Sequence, residues 1–234
     1  MVPCGKGQFT ESIARIILPA MAHRFAELAF TPAVKAAQER NGSRASYERF
    51  AARGPANDRL GPDEVAFLAE RDSFYMATVS ETGWPYVQHR GGPAGFVRVL
   101  DERTIALADF RGNRQYVSVG NLGGDDRVAM IFMDYPRQRR LKVLGRARIV
   151  EVADDPALLA RLALPGYDAR VERAMVIAVE AFDWNCPQHI TPRFTEAEVL
   201  QHVAPLRARL AELEAEVARL RQAPAGPGTP GPQE

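Results

Sequence analysis

The sequence predicts a mainly β fold of the α+β type, an antiparallel barrel with flanking helices. Three observations predict it. From Ser73 onward, β-rich runs recur at short spacing. Most are joined by hairpin turns, and the helical segments do not alternate with strands as βαβ units would require. There is also no GxGxxG that follows a strand and opens a helix, and no P-loop pattern, which disfavours a Rossmann or P-loop nucleotide site.

The elements follow in order. Thr31-Pro32 supplies a hydroxyl cap followed by a proline at the first helical position. The helix Pro32–Arg40 then stops at Asn41-Gly42. The polar stretch Gly42–Asp58 reads as a loop or linker, and Pro62–Arg71 as a short helix with Val65, Leu68 and Ala69 on one face. FYMATVS is a buried strand that turns at Glu81-Thr82-Gly83 into the hairpin partner Trp84–Arg90. Gly95–Leu100 and Thr104–Asp109 form a second hairpin. Arg127–Asp134, Arg140–Glu151 and Ala174–Asp183 are further β-rich runs. Helices are expected at about Gln115–Leu122 and at Pro156–Leu162, the latter capped by Asp155. Leu206, Leu210, Leu213, Val217 and Leu220 are spaced 4, 3, 4 and 3, which suits either an amphipathic helix docked on its own domain or a dimeric coiled coil. From Gln222 the Pro/Gly-rich tail reads as disordered. The expected organisation is an N-terminal extension over 1–30, the barrel domain over 31–193, the heptad helix over 194–221 and the tail over 222–234.

Composition narrows the function classes. A chain of 234 residues, 46% hydrophobic and 25% charged, can bury a real core. A net charge of +1 gives no global electrostatic case for nucleic acid or acidic membranes. Cys4 and Cys186 form no spacing pattern, so a disulfide framework is not expected. No apolar run reaches the roughly 20 residues needed to cross a bilayer. The run Ile13 to Met21 is broken by Arg15 and is a poor signal peptide, so the expectation is a cytoplasmic protein. Met21 opens a segment that resembles a natural start, leaving Met1 and Met21 as alternative first residues.

Three clusters carry chemistry. Asp109-Phe-Arg-Gly-Asn-Arg-Gln-Tyr116 lies between a strand and a helix, where free backbone N–H groups and the guanidinium forks of Arg111 and Arg114 suit a phosphate. The same arginines would also serve simply to cap or solvate the turn. Gln88-His89-Arg90 runs into Gly91-Gly92, with Gln88 and Arg90 on one strand face and His89 on the other. Those two polar side chains can hydrogen-bond a planar ring while the glycines admit a ligand closely; a merely polar outer face is the alternative. Trp184 to Arg193 follows the last strand, with a tryptophan and an arginine able to edge a flavin, or to act as a core Trp and a solvated Arg. His89, His189 and Cys186 have no metal-ligand spacing. No Ser/His/Asp order, paired carboxylates or activated cysteine supports a hydrolase.

In this order, the segments ATVSETGWPYVQHRGGPAGFVRVLDERTIALADFRGNRQYVSVGNL, DRVAMIFMDYPRQRRLKVLGRARIVE and WNCPQHITPR resemble the pyridoxamine 5′-phosphate oxidase-like proteins that bind flavin mononucleotide (FMN) in a split barrel. The phrases FTPAVKAAQERNGSR, RDSFY and ADFRGNRQY are similar to those of a bacterial flavin-binding subgroup. The resemblance spans about Phe30 to Arg193. It implies a six-stranded antiparallel split barrel with flanking helices, forming a homodimer with FMN in clefts between subunits.

Position by position, the resemblance implies that Gln88 contacts the ring or phosphate, with Arg90 on the same face and His89 beside them. The family's Ser-Arg-Lys phosphate motif reads Asn113, Arg114 and Gln115 here, so the lysine is lost, and Arg111 is the nearby cation. Arg140 stands where the family uses a glutamine near the flavin. Trp184 and Arg193 match the Trp and Arg that reach FMN from the partner subunit. The family's Arg-x-His substrate pair is His189 and Thr191 here. Losing the always-charged bidentate fork argues against vitamin B6 phosphate as substrate. The expectation is an FMN-dependent oxidoreductase of unknown substrate, with NAD(P)H or a small organic molecule as electron donor. Alternatives are a non-catalytic flavin or haem carrier, or a deazaflavin (F420)-dependent reductase.

Overall fold

A computed structural model of the protein describes residues 23–184 and 187–222. The chain start at Met1 or Met21, both cysteines and the Pro/Gly tail beyond Gln222 lie outside the described residues. The chain divides into two compact units. One holds the described residues before Tyr135 together with those of Arg139–Pro187; the other holds Tyr135–Gln138 and the described residues from Gln188 on.

In the first unit, helices α1 (Arg24–Ala29), α2 (Pro32–Arg40), α3 (Arg44–Arg53) and α4 (Pro62–Ala69) precede the sheet. The cap predicted for α2 forms: Thr31 Oγ1 accepts from the Val34 N–H at 3.4 Å, Pro32 opens the helix, and Gly42 turns away at φ +70°. One expectation is corrected here, and one segment gains a helix. The stretch 42–58 is no loop, because α3 occupies most of it: Tyr47 and Phe50, three residues apart, stack against Phe30 and His23. The expected extension over 1–30 likewise contains α1, anchored by the buried His23. Polar composition concealed α3, which has no buried residue and makes its contacts through the half-exposed rings of Tyr47 and Phe50.

Seven strands follow: β1 (Ser73–Val79), β2 (Pro85–Gly91), β3 (Val97–Asp101), β4 (Thr104–Phe110), β5 (Arg127–Asp134), β6 (Arg139–Glu151) and β7 (Val171–Trp184). Helix α5 (Val117–Gly124) lies between β4 and β5, and α6 (Pro156–Leu162) between β6 and β7. The strands form one antiparallel sheet in the order β2-β1-β5-β6-β7-β4-β3. The six strands implied by the resemblance become seven, because β3 buries Val97 and pairs with β4 as the second hairpin.

The sheet curls into a split barrel. Strands β2 and β4 are far apart in the ladder, yet Arg90 Nη1 on β2 lies 2.6 Å from Asp109 Oδ1 on β4. The barrel therefore closes at that seam through side chains, with no ladder between β2 and β4. Alternation explains the filling. Ile105 and Leu107 of β4 and Met175 and Ile177 of β7 point into the barrel with Phe74, Phe96, Phe132 and Leu141. Ala106, Ala108, Ala174 and Val176, on the other face, pack with Leu158 and Leu162 of α6. Phe74 stacks on Phe132 at 4.7 Å and on Phe96 at 5.9 Å. Each such buried side chain stabilises the fold by roughly 1.5–3 kcal/mol.

In the second unit, α7 (Glu196–Gln222) starts from a reciprocal cap: the Thr195 N–H donates to Glu198 Oε2 at 2.7 Å and the Glu198 N–H to Thr195 Oγ1 at 3.2 Å. Gln138 Nε2 donates to the Ile190 carbonyl at 2.6 Å. No helix among the described residues is long and apolar enough to cross a membrane.

Candidate functional site

The seam between β2 and β4 opens into a cleft of about 330 Å³, within the usual size range of small-molecule sites. Three pieces of chain supply most of it, with Phe96, Tyr167 and Glu172 added from elsewhere. The inner face of β2 contributes Tyr86, Gln88 and Arg90, the half-buried residues of a strict alternation. The end of β4 and the loop after it contribute Asp109 to Tyr116. The first turn of α5 contributes Val117, Ser118 and Val119.

The loop is unusual in its backbone. Arg114 (φ 63°) and Tyr116 (φ 53°) both occupy the left-handed region without being glycine. Each such residue costs on the order of 1 kcal/mol or more and persists where the surroundings fix it, commonly at ligand sites. Asn113 helps to fix it by accepting the Gln115 N–H on Oδ1 at 3.1 Å. The consequence is a sharp entry into α5, whose N-cap, Tyr116, makes no side-chain cap bond. The first N–H groups of α5 therefore keep no cap and carry the positive end of the helix dipole into the cleft.

A charged network lines the floor. Asp109 receives Arg90 at 2.6 Å and Arg173 at 4.0 Å. Glu172 receives Arg173 at 3.2 Å, Arg111 at 3.7 Å and the Tyr116 hydroxyl at 3.1 Å. The guanidinium of Arg173 also lies 4.9 Å from the centre of the Tyr116 ring. Both acids are thus neutralised by neighbours. Arg114 differs, since it makes no ion pair or hydrogen bond among the described residues and stands exposed at the rim. Arg90 Nε is buried with no hydrogen-bond partner. The buried hydroxyl of Ser118 donates to Gln88 Oε1 at 2.9 Å, which leaves the Gln88 amide N–H₂ available.

Of the residues singled out from sequence, the cleft brings together Gln88, His89, Arg90, Arg111, Asn113, Arg114 and Gln115. His89 is at its edge, with its ring against Tyr75 at 5.4 Å on the outer sheet face. Gly92 makes room for Phe96, because a Cβ there would come within 2.9 Å of that side chain. The other three candidates lie outside the lining. Arg140 is half-buried in β6 with Nε unpartnered. The Trp184 indole N–H donates to Glu64 Oε1 at 2.6 Å, with its ring against Phe67. In the second unit, Arg193 lies over the Tyr135 ring at 4.9 Å.

Sequence reasoning missed Ser118, Glu172 and Arg173, and took Tyr116 only as the end of the loop cluster. The signal for two of them was present: Glu172-Arg173 puts adjacent opposite charges just before the apolar run Ala174–Val179, where burial demands partners.

Residues 60–182, more than half of the chain, match the family described as pyridoxamine 5′-phosphate oxidase. No curated protein matches the chain. Among solved structures, the chain is similar to an FMN-binding protein from Syntrophomonas wolfei subsp. wolfei, at 9% identity, covering 66% of this chain and 97% of that one with a TM-score of 0.41. It is also similar to a protein related to general stress protein 26 from Clostridium acetobutylicum, at 16% identity over 58% and 94% of the two chains with a TM-score of 0.41. An F420 reductase is 24% identical over 53% of this chain and 98% of that one, with a TM-score of 0.37.

Proposed function

The chain belongs to the pyridoxamine 5′-phosphate oxidase family, and we propose that it is a homodimeric FMN-binding oxidoreductase acting on a substrate other than vitamin B6 phosphate. The observation that carries this reading is the convergence on one cleft of an uncapped helix start, a partnerless Arg114 and the polar pair Gln88 and Arg90.

These groups fit FMN chemically. Arg114 and the first N–H groups of α5 would hold the phosphate, through a charge-assisted fork and the helix dipole. The lining carries Arg90, Arg111 and Arg114 against Asp109 and Glu172, a net of +1 before the helix dipole is added. Gln115 replaces a cation and Arg111 is drawn to Glu172, so Arg114 bears most of the phosphate recognition. Gln88 would donate its amide N–H₂ to a ring carbonyl, held in that sense by Ser118. The buried Arg90 Nε has an unused N–H for the same ring edge. When bound, FMN supplies a ring that accepts and returns a hydride. The chain's own part is binding, orientation and exclusion of water. Dimerisation would complete the site, with NAD(P)H or a small reduced organic molecule as donor.

The test is titration of the purified protein with FMN, F420 and haem, followed by anaerobic NADH and NADPH. The reading predicts saturable FMN binding and bleaching of the flavin absorbance. Preference for F420 or haem would overturn the cofactor. Bound flavin that is reduced neither by NADH or NADPH nor by a panel of small reduced organic molecules would leave a carrier instead of an enzyme.

A further inference from the structure

We propose that α7 is a parallel two-stranded coiled coil that joins two copies of this chain. This inference is independent of the flavin reading and stands on the second unit alone. Helix α7 runs for 27 residues without a buried residue, and Leu206, Leu210, Leu213, Val217 and Leu220 are all exposed. A seam of large apolar side chains at that length and exposure requires a cover.

The seam's own pattern identifies the cover. Its spacing places Val203, Leu210 and Val217 at the a positions and Leu206, Leu213 and Leu220 at the d positions of a heptad. Two of the three a positions, Val203 and Val217, are β-branched and all three d positions are leucine, and β-branched a with leucine d favours two parallel strands. Pro205 falls at c, away from the seam, and is tolerated there as far as the partner is concerned.

Flanking charge agrees with the same partner. Arg209 and Glu216 fall at g, and Glu214 and Arg221 at e. In a parallel pair each g faces the e of the next heptad on the other helix. Arg209 then meets Glu214 of a second copy, and Glu216 meets Arg221, so every such contact in these two heptads is of opposite sign. Within one helix Arg209 also holds Glu212, and Arg219 holds Glu216, at i,i+3, and exposed pairs of this kind exchange partners at little cost.

The test uses the full chain with Cys4→Ser and Cys186→Ser, and adds either Leu213→Cys at the seam or Ala215→Cys on the opposite face. Under mild oxidation the Leu213→Cys protein should become a covalent dimer on a non-reducing gel, while Ala215→Cys stays single. Leu220→Cys repeats the test at another d position. Cross-linking no faster at 213 and 220 than at 215 overturns the proposal, and is the result expected if the seam folds onto its own barrel or binds another protein. Charge reversal then reads the register. Arg209→Glu should slow the cross-linking several-fold, and adding Glu214→Arg should restore it. In an antiparallel pair g faces g and e faces e, so the double variant would set the new glutamate at position 209 against Glu216 and the new arginine at position 214 against Arg207. A double variant slower than the single one therefore overturns the parallel arrangement.

Discussion

The indole N–H of Trp184 donates to Oε1 of Glu64 at 2.6 Å, across 120 residues of chain. The other oxygen of Glu64 accepts the Gly61 N–H at 2.9 Å and so closes the start of α4. One buried carboxylate therefore ties the end of β7 to the helix that precedes the sheet. Trp184→Phe should keep the edge contact with Phe67 and strand one carboxylate oxygen, costing about 1–3 kcal/mol. Urea unfolding of the flavin-free protein measures this. Unchanged stability would mean that the indole serves something other than this tie, and flavin retention on gel filtration would then be the property to compare.

Arg114→Ala should weaken FMN binding by about 10- to 150-fold, the equivalent of the roughly 1.5–3 kcal/mol of a charge-assisted phosphate contact. Stability should hardly move, because the side chain has no partner to lose among the described residues and alanine leaves only the left-handed backbone to accommodate. Fluorescence titration reads the affinity. An unaltered dissociation constant would remove Arg114 from the phosphate site.

Arg90→Met should destabilise the flavin-free barrel by about 3 kcal/mol, because the Asp109 carboxylate, only 13% exposed, would keep Arg173 at 4.0 Å as its remaining counter-charge. Arg90→Met with Asp109→Leu should recover most of the loss, since the pair then leaves together. Chemical denaturation of the three proteins decides it; a double variant as weak as the single one would show that the pair was not the cause.

Gly145→Ala should cost about 1–3 kcal/mol. A Cβ at this position would lie 2.6 Å from the Ala178 carbonyl oxygen and 2.8 Å from Ile177 Cγ2, at the register shift between β6 and β7. The neighbour is backbone in a central ladder and has nowhere to retreat. A thermal midpoint equal to that of the parent protein would show that the bulge can absorb a methyl group.

His23 sets a pH dependence. Burial holds its imidazole below the ordinary value of 6.5, with the Asp183 carboxylate opposing in part. The folded state therefore binds the proton less readily than the unfolded chain. Its contribution is complete above about pH 6.5 and is lost as pH falls through the depressed folded value. Melting temperatures measured from about pH 8 to about pH 5 should decline on the acid side, and His23→Gln should flatten that part of the decline. An identical acid decline in both proteins would place its origin elsewhere.

Much of this was legible from side-chain pattern. Thr31-Pro32 and Asn41-Gly42 bracket α2, and strict alternation in PYVQHRG puts Gln88 and Arg90 inside and His89 outside. The loop Asp109–Tyr116 stood out because arginines and a glycine cluster between strand and helix, and it lines the cleft. What could not be read were relationships at long separation. Glu64 meets Trp184, Glu172 draws off Arg111, and Ser118 reaches back to Gln88 across 30 residues. None has a local signature, since each depends on the curl of the sheet. Helix α3 escaped for a different reason: its packing is carried by two aromatic residues within a polar run.

The side-chain closure between β2 and β4 has a dynamic consequence. Everywhere else in the barrel, parting neighbouring strands means breaking a row of amide–carbonyl bonds; here it means releasing one guanidinium from one carboxylate. Breathing motions should concentrate at this joint, and the amide protons along the free edge of β2 should exchange with solvent well before those of β6 or β7. Under the proposed function, a phosphorylated guest would enter where the wall yields most readily, and by bridging the two lips it would also fasten them.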